Sequence, residues 1–222
     1  MLRRLATLFV CFLMLTAASS AFGQATLFER KNLADWDFHV IQEGVKVADV
    51  FSFSEDGRLL CAGQPFGYLA TKESYRNFKL AVEWRWPEGT RPTNSGVFVK
   101  ITEQPSDSFL PKSVEIQLMN GSAGDLLTFH GRTINGSANQ PATMEIPGIG
   151  KITRAQNVLA AENAPGQWNA MEILSTGGLI VVTVNGKIVN WMTGAEPVEG
   201  RVGFQSEGGP VEFRNAILTT LP

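Results

Sequence analysis

The sequence predicts an all-β protein, built as a two-sheet antiparallel sandwich of the jelly-roll kind. Beyond the first 23 residues no helical period persists; instead Val, Ile, Phe, Trp and Thr recur in short alternating runs separated by Gly, Pro, Asn and Asp. So many short strands at this spacing are typical of a sandwich or jelly roll. The predicted strands are Val50–Phe53, Leu59–Ala62, Tyr68–Thr71, Phe78–Trp86, Gly96–Thr102, Val114–Leu118, Trp168–Ser175, Leu179–Val184, Lys187–Met192, Arg201–Ser206 and Val211–Leu218.

Two dipeptides between these runs predict hairpin turns. Asn185-Gly186 separates two apolar strands and readily supplies the two positive φ angles of a type I′ turn. Asp56-Gly57 indicates a second hairpin with a slightly longer loop. The stretch 121–166 has weak strand signals and much Gly, Ala, Asn and Pro, and we expect long loops over one face there.

The length and charge of the chain bound its class. With 222 residues and 44% hydrophobic content it can bury a full core, and a single domain over residues 24–222 is expected. Nineteen basic and 21 acidic side chains give a formal charge of −2. This balance gives no electrostatic reason to expect a nucleic acid or an anionic membrane as partner.

Residues 1–23 read as a secretory signal peptide. Arg3 and Arg4 precede an apolar run from Leu5 to Leu15, small residues follow, and the run is too short for a membrane span. Cleavage before Gln24 or before Phe22 fits, so a periplasmic or secreted location is expected.

The two cysteines are interpreted separately. Cys11 lies inside the apolar run and follows bulky Val10, which favours a cleaved signal over a lipid anchor. Cys61 is then the single cysteine of the mature chain, and its apolar neighbours indicate a buried, inert thiol.

Polar side chains alternate with apolar ones on three of the predicted strands. If these strands are neighbours, their polar residues form a patch that spans one or two sugar rings. Planar amides and carboxylates suit the dense hydroxyl groups of a saccharide, although any solvated antiparallel sheet shows the same alternation. The patch consists of Glu83 and Arg85, Glu115 and Gln117, and Gln205 and Glu207.

Carboxylates and histidines are the candidates for catalysis. Glu115 is followed two residues later by Gln117, so a same-strand carboxylate pair is missing, and cross-strand pairs of Glu115 with Glu83 or Glu207 remain open. His130 is a candidate general base, or an ordinary surface residue. No His-rich metal motif occurs, while an oxygen-ligated divalent cation remains open.

Short motifs from Leu27 to Leu221 together resemble one large bacterial family, once called domain of unknown function 1080 and now linked to cleavage of 3-keto-glucosides. Their order and spacing make the likeness specific. The motifs are Leu27-Phe-Glu-Arg-Lys-Asn-Leu-Ala-Asp-Trp36, Tyr68 to Leu80, Asn94-Ser-Gly-Val-Phe98, Val114-Glu-Ile-Gln-Leu118, Pro165-Gly-Gln-Trp-Asn169, Val184-Asn-Gly186 and the segment Gly200 to Leu221.

The resemblance implies a concanavalin-like jelly roll that cleaves 3-keto-disaccharides by hydrolysis or by elimination. It implies a saccharide or keto-sugar as the partner and Glu115 as acid or base, with Asn94, Lys72 and Arg85 as stabilisers of an oxyanion. Glu83, Gln117 and Gln205 would contact the sugar. This chain departs from the family by carrying Glu207 where a histidine is usual, so either Glu207 replaces that base or the protein is a non-catalytic carbohydrate-binding module.

Overall fold

The computed structural model describes residues 23–106, 108–147 and 149–222. Residues 1–22 of the predicted signal peptide lie outside the described residues. The described chain is dominated by strands, with one short α-helix, α1 (Val47–Val50), and one 3₁₀ turn (Leu33–Asp35). The strands are β1 (Gln24–Thr26), β2 (Trp36–Val40), β3 (Phe51–Phe53), β4 (Leu59–Cys61), β5 (Gly67–Thr71), β6 (Phe78–Arg85), β7 (Gly96–Glu103), β8 (Lys112–Gln117), β9 (Leu126–Thr128), β10 (Ala142–Ile146), β11 (Gly150–Ala155), β12 (Asn169–Thr176), β13 (Leu179–Val184), β14 (Lys187–Met192), β15 (Arg201–Ser206) and β16 (Val211–Thr220).

These strands form two antiparallel sheets. Sheet A has the order β14-β13-β12-β6-β16-β4-β3, with β1 added to β16. Sheet B has the order β10-β11-β9-β8-β7-β15-β5-β2. The inward residues of both sheets form the main core, in which Trp84 and Trp86 are 0% and 1% exposed. The predicted all-β sandwich is therefore confirmed.

Each predicted strand is present, and the two hairpin turns have the expected geometry. Asn185 and Gly186 have φ angles of 49° and 76° between β13 and β14. Gly57, with φ of 86°, lies in the turn between β3 and β4. Positive φ at these positions explains why Asn and Gly mark the turns.

The expectation of long loops over residues 121–166 is wrong for residues 126–128, 142–146 and 150–155, where β9, β10 and β11 lie. All three residues of β9 are buried, so both of its faces are covered and no polar alternation shows in the sequence. The opposite holds for β10, which is exposed along almost its whole length. An exposed edge strand needs no apolar side, so the period of two is absent from its sequence.

A second apolar cluster covers part of the outer face of sheet B. Phe98 on β7 and Leu127 on β9 belong to it. Leu110, from the segment that joins β7 to β8, is 3% exposed and packs on them. The outer face of this sheet is therefore partly shielded from water, and so are the polar residues beside the cluster.

Candidate active site

Glu115 is a buried carboxyl group on the outer face of sheet B. It pairs with Phe98 on one side and Leu127 on the other, both members of the outer apolar cluster. The residue is 2% exposed, and its Oε1 has no hydrogen-bond partner among the described residues. Burial, and secondarily the negative charge of Glu207, raises the pKa of Glu115 well above its usual range.

Glu207 and Gln205 lie at the end of β15, two strands away from Glu115. Gln205 is 0% exposed, and its Nε2 donates to Oε2 of Glu207 at 2.7 Å. Burial also raises the pKa of Glu207, while hydrogen bonds from Asn94 and Gln205 oppose that rise. Glu207 therefore ionises more readily than Glu115, which has no hydrogen bond to stabilise its anion.

Three acceptor oxygens at these carboxyls have no donor among the described residues. They are Oε1 of Glu115, Oε1 of Gln205 and Oδ1 of Asn94. The backbone of Asn94 bridges to Glu207 and Gly208, which brings its side chain to the same end of sheet B. Buried acceptors without donors are uncommon in folded proteins. A ligand rich in hydroxyl donors would satisfy them.

Gln117 is beside this cluster, but its side-chain oxygen is hydrogen-bonded to the backbone. Its Oε1 accepts from the amides of Leu118 and Met119, at 2.9 Å each. It pairs with Gly96 on β7, the strand that lies between β8 and β15. Four of the predicted site residues, Glu115, Gln205, Glu207 and Asn94, are thus brought together, with Gln117 at their margin.

Glu83 and Arg85 do not belong to this group, so the single patch expected from the sequence is corrected. Both lie on β6, which is in sheet A rather than beside β8 and β15. Oε2 of Glu212 accepts from Nε of Arg85 at 2.8 Å, and Oε2 of Glu83 accepts from Nε of Arg214 at 2.7 Å. Alternation placed their side chains outward correctly, but it cannot tell which sheet a strand joins.

The guanidinium groups of this ion-pair network also stack on an aromatic ring. The guanidinium carbons of Arg85 and Arg214 lie 4.6 and 4.0 Å from the ring centroid of Trp168. Such contacts stabilise a cation over a ring. They account for Arg85 without a ligand.

Lys72 and His130 have hydrogen-bond partners outside the group formed by Glu115, Gln205, Glu207 and Asn94. Nζ of Lys72 donates to the carbonyl of Ala34 at 2.6 Å and lines a separate cavity of about 590 Å³ near the N-terminal strand. His130 has a positive φ of 53°, and its Nε2 lies 2.9 Å from the carbonyl oxygen of Leu110. It lines another cavity, with Glu145. Neither side chain is placed by the structure in the cluster around Glu115.

Two further residues, Gly96 and Thr93, shape the site, although neither is among the predicted site residues. A Cβ built on Gly96 would lie 2.8 Å from Cγ and 2.9 Å from Cδ of Glu115. A glycine inside a predicted strand signals a close approach of another group. Thr93, whose hydroxyl accepts from the amide of Gly209 at 2.7 Å, gives no comparable signal in the sequence.

Neither a metal-binding cluster nor a membrane-spanning helix is found among the described residues. Within residues 23–106, 108–147 and 149–222, no group of three or more His, Cys, Asp or Glu side chains is arranged to hold a metal ion. No helix in that part of the chain is long and apolar enough to cross a bilayer.

Solved structures with the same fold act on or bind carbohydrates by their descriptions. A protein from Parabacteroides distasonis, provisionally described as a glycosyl hydrolase, is 24% identical over 90% of this chain and 100% of its own, with a TM-score of 0.59. A β-glucanase from Bacillus licheniformis is 10% identical over 92% of this chain and 100% of its own, with a TM-score of 0.56. The carbohydrate-binding module CBM66 from Bacillus subtilis is 8% identical over 82% of this chain and 93% of its own, also with a TM-score of 0.56.

The jelly-roll fold and the family match together place the chain among carbohydrate-active proteins. Among proteins with curated descriptions, none matches this sequence significantly. The family model of the 3-keto-alpha-glucoside-1,2-lyase-like domain matches residues 23–219. The chain belongs to that family, which confirms the resemblance seen in its motifs.

Proposed function

We propose that this protein cleaves 3-keto-glycosides, with Glu207 as the base and Glu115 as the acid. The observation that carries the proposal is the placement of a buried carboxyl group, Glu115, and a partly buried one, Glu207, at the same end of sheet B, where burial raises the pKa of each. Carboxyl groups whose environments separate their pKa values are suited to opposite roles in proton transfer. Family membership supplies the reaction class.

The proposed chemistry begins at C2 of the keto sugar. The 3-keto group acidifies the C2 proton, and ionised Glu207 removes it. The electron pair of the C2–H bond forms a C1=C2 double bond while the C1–O bond breaks. Glu115, which keeps its proton because it is buried beside Glu207, donates that proton to the departing oxygen. The products are a free alcohol and an unsaturated 3-keto sugar.

Addition of water to that unsaturated sugar would complete a net hydrolysis. The hydroxyl of water bonds to C1, and ionised Glu115 accepts the remaining proton. Protonated Glu207 returns a proton to C2, which restores both carboxyl groups to their starting states. Hydrolysis and elimination thus use the same pair, and only the fate of the intermediate differs.

The unpaired oxygens of Asn94 and Gln205 give these residues a binding role in the proposal. Each oxygen accepts a hydrogen bond from a sugar hydroxyl, which offers donors that the protein itself does not supply there. A substrate that satisfies them gains favourable contacts and is oriented relative to Glu207. A bound saccharide would also exclude water from the carboxyl pair.

The test is incubation of the mature protein with 3-keto-trehalose and with a 3-keto-β-glucoside, with and without divalent metal, followed by mass spectrometry. We expect release of the aglycone, and an unsaturated product marks elimination. Glu115→Gln and Glu207→Gln should each lower turnover by about 10²-fold or more. Glu83→Gln, on the other sheet, is the matched control and should leave it unchanged. Full turnover by Glu115→Gln would exclude Glu115 as the acid.

A non-catalytic carbohydrate-binding module is the second candidate, and the burial of Glu115 favours it, because a sugar can bind at the surface of sheet B without contacting Glu115, whereas proton transfer from Glu115 requires that contact. Glu115 and Gln205 are 2% and 0% exposed, so a substrate reaches them only if the surrounding segments move. Titration calorimetry separates the two functions. Binding of a 3-keto-glycoside by the wild type without product formation indicates a binding module, whereas binding retained by a Glu115→Gln variant that has lost turnover indicates catalysis.

Export to the periplasm or the medium remains part of the proposal. Arg3, Arg4 and the apolar run after them support it. Mass spectrometry of the protein from a periplasmic fraction should find the mature chain beginning at Gln24 or Phe22. A chain that retains residues 1–21 in that fraction would overturn the predicted cleavage.

A further inference from the structure

The turn that follows Glu207 is held by one hydroxyl group. The amide of Gly209 donates to Oγ1 of Thr93 at 2.7 Å. Gly208, between Glu207 and Gly209, has a φ of 102°, a backbone conformation that residues other than glycine rarely adopt. The position of the Glu207 backbone therefore depends on a tight glycine turn, and that turn is anchored to Thr93.

The same segment is also tied to the strand that carries Glu115. The carbonyl of Thr93 accepts from the amide of Asn120 at 3.1 Å, and the carbonyl of Ser95 accepts from the amide of Leu118 at 2.8 Å. Both donors lie within three residues after the end of β8. The segment Thr93–Ser95 thus spans the gap between the end of β8 and the end of β15.

We propose that Thr93 is a positioning residue that fixes Glu207 relative to Glu115. It touches neither the reacting atoms nor, by any contact in the structure, either carboxyl group. It acts through the Gly208-Gly209 turn on one side and through Asn120 on the other. Its kinetic consequence rests on the proposed function, while its effect on the spacing of the two carboxyl groups does not.

The Gly208-Gly209 turn packs closely against the side chain of Thr93. A Cβ on Gly208 would lie 3.0 Å from Cβ of Thr93, and a Cβ on Gly209 would lie 2.9 Å from its Oγ1. The turn approaches so closely because both residues are glycines. In Thr93→Val a methyl group occupies the position of the hydroxyl, so the amide of Gly209 loses its acceptor and the turn is pushed outward.

The first measurement is an NMR titration of the Glu115 carboxyl carbon in the wild type, Thr93→Val, Thr93→Ser and Glu207→Gln. Glu207 is the charged group among the described residues that acts on the Glu115 pKa, so Glu207→Gln calibrates the effect of removing its charge. A displaced Glu207 repels less, and we expect the pKa of Glu115 to fall in Thr93→Val in the direction of its value in Glu207→Gln. Thr93→Ser, which keeps the hydroxyl, should retain the wild-type value.

The second measurement is turnover of a 3-keto-glycoside. Thr93→Val should lower kcat by roughly 10- to 100-fold, because small misplacements of catalytic groups carry that cost, with KM changed much less. Thr93→Ser should recover most of the lost rate. An equal loss in both variants, or a Glu115 pKa in Thr93→Val identical to that of the wild type, would overturn the proposal. If Thr93→Val does not fold, Thr93→Ala is used with the same criteria.

The two measurements separate the failure of this inference from the failure of the proposed function. If the wild type turns over no keto-sugar, the proposed function fails, yet the NMR titration still decides whether Thr93 sets the distance between the carboxyl groups. If the wild type is active but Thr93→Val matches it in rate and titration, only the role of Thr93 is excluded.

Discussion

The backbone of Gly96 lies directly beneath the carboxyl group of Glu115. Any side chain at position 96 would begin less than 3 Å from Cγ and Cδ of Glu115. The two residues are on adjacent strands, where Gly96 pairs with Gln117 and Glu115 pairs with Phe98. Because Gly96 has no side chain, there is space for the Glu115 carboxyl on the outer face of sheet B, which is shielded from water.

Gly96→Ala should therefore displace Glu115 without changing any acidic or basic group. Overpacking a buried site costs about 1–3 kcal/mol in the free energy of unfolding, and turnover should fall with it. Thermal unfolding and keto-glycoside turnover check the two effects. Gly203→Ala is the matched control, because its Cβ would meet Cδ1 of Ile101 at 2.9 Å instead of Glu115. Equal losses of turnover in the two variants would argue against the displacement of Glu115.

Replacing Glu115 by glutamine should stabilise the protein relative to the wild type, and this difference should grow as the pH rises. The pKa of Glu115 is raised in the folded state, so above a pH of about 4.5 the unfolded chain loses this proton while the folded chain keeps it. The wild type therefore loses stability with rising pH until the folded pKa is passed. Glu115→Gln escapes that loss, so its free energy of unfolding should rise relative to that of the wild type from pH 4 to pH 8.

Denaturant unfolding at several pH values measures this difference. Glu172, half-exposed and paired with Lys79, provides the control. Glu172→Gln should change the free energy of unfolding by no more than about 1 kcal/mol at any pH. A constant difference between Glu115→Gln and the wild type from pH 4 to pH 8 would contradict the raised pKa.

The sequence predicted the strands better than their arrangement, for a physical reason. Alternation reports which side of a strand is buried, and it placed Glu83, Arg85, Glu115 and Gln205 outward correctly. It carries no information on which strands pair, because pairing joins residues far apart in the chain. The assignment of β6 to sheet A, and with it the separation of Glu83 from Glu115, became visible only in three dimensions.

The burial of the site also escaped the sequence. Outward-facing residues on an antiparallel sheet are expected to meet water, yet Glu115 and Gln205 are almost fully enclosed. Leu110 and its neighbours cover this face from a segment that the sequence presents as an irregular connection. Family motifs identified Glu115 and Asn94, whereas the cause of the raised pKa lies in tertiary packing.

The outer face of sheet A should contribute to stability and not to turnover. Arg85→Gln removes an ion pair with Glu212 and a contact with Trp168, at a cost of about 1 kcal/mol or less because the network is partly solvated. Turnover should stay within about twofold of the wild type, since this network lies on sheet A and the Glu115 cluster on sheet B. Kinetics and thermal unfolding on the same sample give both numbers. A loss of turnover with unchanged stability would restore Arg85 to the site.

Cys61 should be unreactive in the folded protein. It is 3% exposed, and burial raises the pKa of its thiol to about 11. At pH 8 roughly one molecule in a thousand then carries the reactive thiolate, and that thiolate is shielded from solvent. Ellman's reagent should therefore find no reactive thiol in the native mature protein within minutes and one per chain in denaturant. A native sample that reacts rapidly would show that the edge of sheet A around β4 opens. Two thiols per denatured chain would show instead that Cys11 is still present, so the same titration reports on removal of the predicted signal peptide.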